Sequence, residues 1–444
     1  MTEKIDLLVE PRWIAPVEPA VVLESHAIAV KGDRIVAICP KAEAATRFTT
    51  REYLRLPEHL VIPGLINLHT HAAMSLMRGL ADDLPLMEWL NKHIWPTEAA
   101  HVSSAFVRDG TLLACAEMLR GGVTCFNDMY FFPQAAAEAA VQAGMRAALG
   151  ITVLEFPNAY ASDADDYLNK GLAIRDQWRG HPLISFCLAP HAPYSVSDAT
   201  FERVATLAEH LNLPIHCHIH ETRAELEESR ERYGVRPLAR LQTLGLLGPN
   251  FIGAHAVHLE ESEIETLAKH GCSIAHCPSS NLKLASGIAP VSELVKAGVN
   301  LGLGTDGAAS NNRLDMFQEM RQAALLAKVA SGDAASLPAH QVLRAATLAG
   351  AQALGLERAI GSLAPGKQAD FCAIDFGMLT TQPCYDPVAQ LVYAAERHQV
   401  SHVWIAGKCC LNNTSLVNIP ENDLKNSVSL WQNKLVIRPG EQSK

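Results

Sequence analysis

The sequence predicts an α/β protein in which a (β/α)8 barrel of the TIM type is joined to a small β-sandwich-like domain built from both termini. Three observations predict it. From Leu60 onward a helix-like stretch closed by Gly or Asn is followed at once by a short apolar strand, again and again. Eight such strands can be counted, nearly all apolar, as expected when both faces of a parallel strand are buried. The two ends of the chain instead carry short β-type runs separated by turns.

The strands, in order, are expected at Val61–Leu68, Val123–Asp128, Arg146–Val153, Ile184–Pro190, Pro214–His220, Phe251–Val257, Ser273–Cys277 and Asn300–Asp306. The joints are visible in "LACAEMLRGGVTCFNDM" at Gly121-Gly122 and in "AAAEAAVQAGMRAALGITV" at Gly144. They recur in "VATLAEHLNLPIHCHIH" at Asn212, "IETLAKHGCSIAHCP" at Gly271 and "VSELVKAGVNLGLGTD" at Gly298. Gly and Asn end helices because they accept the left-handed conformation. The competing fold is an open doubly wound sheet, for which "GLGTDG" (Gly302 to Gly307) supplies a G-x-G-x-x-G match. That match lies near the end of the series rather than opening a βαβ unit, and no ribose-binding acid follows at the right distance.

The barrel is assigned to residues 60–364, and residues 1–59 with 365–444 to the composite β-domain. "HAIAVKGDRIVAICP" near one end and "GKQADFCAIDF" and "VSHVWIAGKCCLNNTS" near the other share the same strand-and-turn style. Lys31-Gly32-Asp33 and Gly407-Lys408 read as turns.

With 444 residues, 48% hydrophobic and 19% charged, the chain has the composition of a globular protein with a large core. Its net charge of −10 and the lack of a Lys/Arg run speak against nucleic acid as a partner. The 11 cysteines are scattered and odd in number, which is no disulfide framework; several sit inside apolar runs as small core residues. "MTEKIDLLVEPRW" lacks a basic region followed by an apolar one, and no apolar stretch approaches ~18 residues, so a cytoplasmic protein without a membrane span is expected. A homo-oligomer is compatible with all of this.

The chemistry lies at the strand ends, where barrels of this type carry their active sites. "VIPGLINLHTH" finishes on His69 and His71, two residues apart and therefore on one face. Alone, this pair could be two polar loop residues after Pro63-Gly64. The other strand ends, however, supply Asp128, His191, His218 with Glu221, His255, His276 and Asp306, where packing alone would use Val, Ile and Leu. Zinc takes three or four His, Cys or carboxylate ligands and leaves a position open in catalytic sites. His69, His71, His218 and Asp306 could supply that set. In "HCHIHE", His216 is expected to fill an inner layer, and Glu221 to face the site without binding metal. His255 could hydrogen-bond the same water, with His258 as the fallback; His276 is expected to be structural.

"PGLINLHTH", the His-rich strand followed by "HxxE", "AHAVHL", "LGLGTDG" and "GSLAPGKQADF" together resemble the amidohydrolase superfamily over nearly the whole chain. "HTHAAMSLMRGLADDLPLMEWLNKHIWPTE", "HAPY" and "NLKLASGIAP" are similar to the methylthioadenosine/S-adenosylhomocysteine deaminases within it. The resemblance implies a metal-dependent barrel enzyme that hydrolytically deaminates an adenine ring to the inosine analogue and ammonia. It implies zinc on His69, His71, His218 and Asp306. It assigns catalysis to Glu221, His255 and Asp306, and substrate contacts to Glu98 (on the ribose hydroxyls), His191, Glu221, Asp306, Trp89 and Ser310.

Relatives with two metals bridge them with a modified lysine at the end of strand four. "LISFCLAPHAPYSV" has no lysine there, so one zinc per chain is expected. The H-x-E and P-C-x-x-C pattern of the other zinc deaminases is also missing. The alternatives are hydrolases of guanine, pterin or triazine rings, or a non-catalytic binder on the same fold. Within the deaminases, S-adenosylhomocysteine needs a cation for its carboxylate. The family places arginines in and just after strand three, where "ALGITVLEFPNAYASDADDYLNKG" has none and carries Glu155, Asp163, Asp165 and Asp166 instead. Leu86, Met87, Trp89 and Leu90 offer apolar cover for a methylthio group. The expected order is 5′-methylthioadenosine, then adenosine, with S-adenosylhomocysteine poor, unless Arg78 or a partner chain supplies the cation.

Overall fold

The computed structural model describes residues 2–435. Eight parallel strands form the barrel: Leu65–Thr70, Val123–Asp128, Arg146–Val153, Ile184–Pro190, Ile215–Ile219, Phe251–His255, Ser273–His276 and Asn300–Leu303, each hydrogen-bonded to the next. The expected joints are helix ends, with Gly144 (φ 75°) and Asn212 (φ 50°) in the left-handed conformation. The barrel closes between its last and first strands through Asp306 N–H, which donates to the His69 carbonyl at 2.9 Å. Gly304 permits this approach, since a Cβ there would stand 2.7 Å from His69 N. The last strand therefore ends at Leu303, three residues before the expected Asp306.

The two ends of the chain build one nine-stranded mixed sheet. Its centre is a parallel pair, Glu3–Ile14 with Phe48–Pro63, and the strand Phe371–Asp375 joins the latter antiparallel. The sheet curls so that Leu7, Val9, Ile28 and Val30 share a core with Phe371 and Trp404. Val61 pairs with both Ile14 and Ala373. The stretch read as one barrel strand, Val61–Leu68, is thus divided. Val61–Pro63 ends a sheet strand, Gly64 turns the chain, and Leu65 begins the barrel.

The C-terminal region, expected to be β, also contains a helix, Glu421–Leu435, that packs on the barrel helix Ser104–Arg120. Leu424, Trp431 and Leu435 are its buried face. Their spacing of seven and four is a helical stripe, and it identifies the element. Trp431 meets Phe106 edge-on at 5.2 Å and donates from Nε1 to Asp109 Oδ2 at 2.8 Å.

Sheet and barrel are joined underneath by a buried ion pair. Arg146, the first residue of the third barrel strand, donates from Nε to Asp370 Oδ2 (3.0 Å) and from Nη2 to Oδ1 (3.2 Å). It also donates to the Pro182 carbonyl at 2.7 Å and to Gln368. Asp370 in turn accepts from Ala406 N–H at 2.7 Å.

Over the opposite end of the barrel lies a cap between the first strand and its helix. It runs from Leu86–Trp89 through a π-helical turn, Leu90–Ile94, into Trp95–His101. π-Turns inside helices occur frequently at functional sites.

Candidate active site

His69 and His71 leave the first strand on the same face, as their spacing dictates. The candidate ligand atoms of His69, His71 and Asp306 lie within 4.8 Å of one another, as do those of His69, His218 and His255. The hydrogen bonds around them fix which ring nitrogen faces inward. His71 Nδ1 is 2.6 Å from the Met129 carbonyl, and His218 Nδ1 is 2.7 Å from the His191 carbonyl. A carbonyl only accepts, so both rings carry their proton on Nδ1 and turn an Nε2 lone pair to the centre. Those two Nε2 atoms face each other at 3.3 Å. His69 Nε2, fully buried, has no hydrogen-bond partner among the described residues. Asp306 Oδ1 stands 3.4 Å from His69 Nε2 and 3.3 Å from His71 Nε2. Converging lone pairs and a carboxylate oxygen around one point, with the rings' other nitrogens tied down, fit a metal cation. Burial keeps the His69 ring neutral, pushing its pKa down to about 4 despite the Asp306 carboxylate.

Asp306 Oδ2 accepts from Ser280 Oγ (2.6 Å) and Ser310 Oγ (2.7 Å), and Oδ1 accepts from Gly307 N–H at 2.7 Å. Ser310, expected against substrate, lines the cavity but spends its hydroxyl on Asp306. Ser280 carries no sequence signal. His216 lies beneath the cluster, its Nε2 2.9 Å from His69 Nδ1 and its Nδ1 3.1 Å from Asn127 Nδ2. It fills an inner layer as expected of it, and it also braces a candidate ligand.

Glu221 Oε2 is 3.9 Å from His255 Nε2. His255 Nδ1 is 2.9 Å from Asn281 Oδ1, an acceptor, which fixes the ring. Burial raises the Glu221 carboxyl above its ordinary range. Burial lowers the His255 ring, and the facing Glu221 and Asp306 carboxylates outweigh that and raise it. The turn carrying Glu221 is itself held. Buried Glu225 accepts from His220 N–H (2.9 Å) and Glu221 N–H (2.8 Å), while Thr222 Oγ1 accepts from Glu225 N–H. Thr222-x-x-Glu225 has the spacing of a capping box, a sequence signal that could have singled out Glu225. His220 (φ 52°), His255 (φ 72°) and Asp306 (φ 61°) all occupy the left-handed region, which side chains other than Gly rarely adopt. Such backbone strain gathers at functional sites.

These groups open into a cavity of about 510 Å³. Leu86, Trp89, Leu90, Ile94 and Trp95 of the cap line it together with Phe131, Leu154 and Phe156, and Trp95 meets Phe156 edge-on at 6.1 Å. Met87 is not among them; the helix turns it outward, 44% exposed. His191 lines the cavity, its Nδ1 2.9 Å from Ser195 Oγ and its pKa pushed down to about 3 by burial. Glu98 turns its carboxyl into the cavity and accepts from the Tyr130 hydroxyl at 2.7 Å; the apolar walls push its pKa up to about 7. His258 and His276 do not line the cavity, and both ring nitrogens of His276 lack hydrogen-bond partners among the described residues.

The acids after strand three do not reach this cavity. Asp163 caps a helix by accepting from Asp166 N–H, Asp165 pairs with Arg203, Asp166 pairs with Lys170 at 2.7 Å, and Glu155 accepts from Ser197 N–H at 2.9 Å. Arg78, the cation held in reserve, is bound to Glu117 and the Asn312 carbonyl. Among the described residues no Lys or Arg lines the cavity.

Residues 60–410 match the amidohydrolase family. The chain belongs to the amidohydrolase family. This amidohydrolase is 48% identical to the 5-methylthioadenosine/S-adenosylhomocysteine deaminase of Teredinibacter turnerae and 47% identical to that of Saccharophagus degradans, each match covering 98% of both chains. A zinc-bound adenosine deaminase from Xanthomonas campestris superposes with a TM-score of 0.97 at 51% identity, covering 98% of this chain and 99% of that one. The amidohydrolase is a hydrolytic deaminase. Among the described residues no helix is long and apolar enough to cross a membrane.

Proposed function

We propose that this deaminase acts on the adenine ring of 5′-methylthioadenosine, with adenosine a weaker substrate and S-adenosylhomocysteine a poor one, and that it holds one zinc ion per chain. The cavity carries the substrate reading. Among the described residues it offers one carboxylate, Glu98, away from the ligand cluster, extensive apolar and aromatic wall, and no Lys or Arg. A methylthio group is at home against Trp89 and Leu90, whereas an amino-acid carboxylate would be desolvated there without a partner. The Teredinibacter and Xanthomonas relatives support adenosine-type chemistry.

His69, His71, His218 and Asp306 would hold the zinc. When bound, zinc lowers the pKa of water from ~15.7 toward ~7 and so supplies a nucleophile at neutral pH. The protein's own groups do the rest. Protonated Glu221 donates to ring N1, which draws electrons from C6 where the water attacks. Asp306 accepts the water's proton, and His255 steadies the charge that develops at the attacked carbon's oxygen. Asp306 then passes the water's proton to the amino group, which leaves as ammonia while the C6 hydroxyl gives its proton to Glu221, so the product keeps N1–H and C6=O and both carboxyls are reset. His191 orients the ring, and Glu98 accepts from the ribose hydroxyls.

The substrate reading is tested by kcat/KM for the three nucleosides at equal pH and salt. A value for S-adenosylhomocysteine equal to that for methylthioadenosine would refute it. The metal reading is tested by elemental analysis. Wild type is expected to hold one zinc per chain and His218→Ala to lose it. His216→Ala, which removes the brace on His69, should weaken metal affinity by about 10–100-fold. Two tightly held metals per chain, or full zinc retention in His218→Ala, would overturn the assignment.

A further inference from the structure

We propose that Tyr130 is a positioning residue for ribose: its hydroxyl occupies one oxygen of Glu98 and so aims the other at the vicinal hydroxyls of a nucleoside. The proposal deepens the substrate reading above and rests on the role given there to Glu98. The two residues come from different parts of the fold. Glu98 belongs to the first turn of the cap helix Trp95–His101, and Tyr130 lies two residues past the end of the second barrel strand. Their hydrogen bond, 2.7 Å from phenol to Oε1, therefore ties the cap to the barrel rim. Tyr130 is itself fixed. It is buried, it packs on Phe131 at 5.2 Å between ring centroids, and its carbonyl accepts from Thr152 Oγ1 on the third strand at 3.0 Å.

Among the described residues the phenol is the one hydrogen-bond partner of the Glu98 carboxyl. A carboxylate has about four acceptor positions on two oxygens. With Oε1 anchored, Oε2 is left to accept from a diol in a fixed direction. Without the anchor, the carboxyl is free to rotate at the end of a two-carbon stem among apolar walls. Such a loss is felt in binding rather than in the chemical step, because the ribose contact is the same in ground and transition states.

The test compares 5′-methylthioadenosine with its 2′,3′-dideoxy counterpart on zinc-loaded wild type, Tyr130→Phe, Glu98→Gln and the double variant. Tyr130→Phe is expected to reduce the preference for the diol substrate, as a ratio of kcat/KM, by about tenfold, as for a lost hydrogen bond to a charged group. The change should lie in KM, and the double variant should be no worse than Glu98→Gln alone. The dideoxy substrate serves as the internal control for folding. If Glu98→Gln lowers the diol preference and Tyr130→Phe leaves it unchanged, the positioning role is wrong. If Glu98→Gln itself leaves that preference unchanged, the ribose role of Glu98 falls first, and the Tyr130 proposal falls with it.

Discussion

Glu221→Gln is expected to keep its metal and to lose turnover by about 10²–10⁴-fold, the usual worth of a positioned proton donor and acceptor. Shape is preserved, and the turn that presents the side chain is gripped through backbone N–H groups by Glu225, which the substitution does not touch. What is lost is the exchangeable proton. Burial raises the Glu221 carboxyl, and in the proposed mechanism the active form is the protonated one. In wild type, kcat/KM should therefore fall as pH rises through that raised pKa, and this limb should be missing from the variant's residual activity. Metal content and pre-steady-state ammonia release on the same preparation check it. A variant that keeps zinc and near wild-type kcat would remove Glu221 from the mechanism.

Arg146→Ala should destabilise the protein by about 3–5 kcal/mol, because it strands the Asp370 carboxylate in an interior site. The pair is 6% and 1% exposed on its two sides, lies at the N-terminal end of the barrel and makes no contact with the cavity. The loss should thus appear in the urea midpoint and leave kcat of the zinc-loaded enzyme unaltered. Replacing both partners with apolar residues of similar size (Arg146→Met with Asp370→Leu) should recover much of the difference, since no charge is then left buried. An unchanged midpoint in Arg146→Ala would mean that the pair adds nothing to the fold.

The barrel was legible because its signal is periodic. Apolar strands buried on both faces, punctuated by Gly or Asn at helix ends, leave few other solutions. Where one strand runs straight into another, as at Val61–Pro63 and Leu65–Thr70, the apolar pattern is continuous and hides the change of sheet. The C-terminal helix was masked by β-like runs before it, although Leu424, Trp431 and Leu435 carry its stripe. The candidate ligands could be named because His and Asp are foreign to strand ends in a packed core. Glu98 needed the family resemblance, since an acid in the first turn of a helix is ordinary. Tyr130, Asn281 and Ser280 were beyond reach: an aromatic, an amide and a hydroxyl suit many positions, and only the fold shows what they touch.

The sheet shared by the two ends of the chain has a consequence during synthesis. The strand Phe48–Pro63 takes its second neighbour, Phe371–Asp375, from a segment made roughly 300 residues later. At about 5–20 residues per second, that is a wait of roughly 15–60 s. Throughout it Val61, Ile62 and the rest of that strand's free edge are exposed as an open template for other chains. Asp306, which closes the barrel on His69, also arrives late, so the proposed four-residue zinc set cannot be complete until most of the chain has emerged, although His69, His218 and His255 are made sooner. Under that assignment full metal coordination is a late event in the life of each molecule, and a nascent chain stalled before Asn300 is expected to lack it while its strand edge stays uncovered.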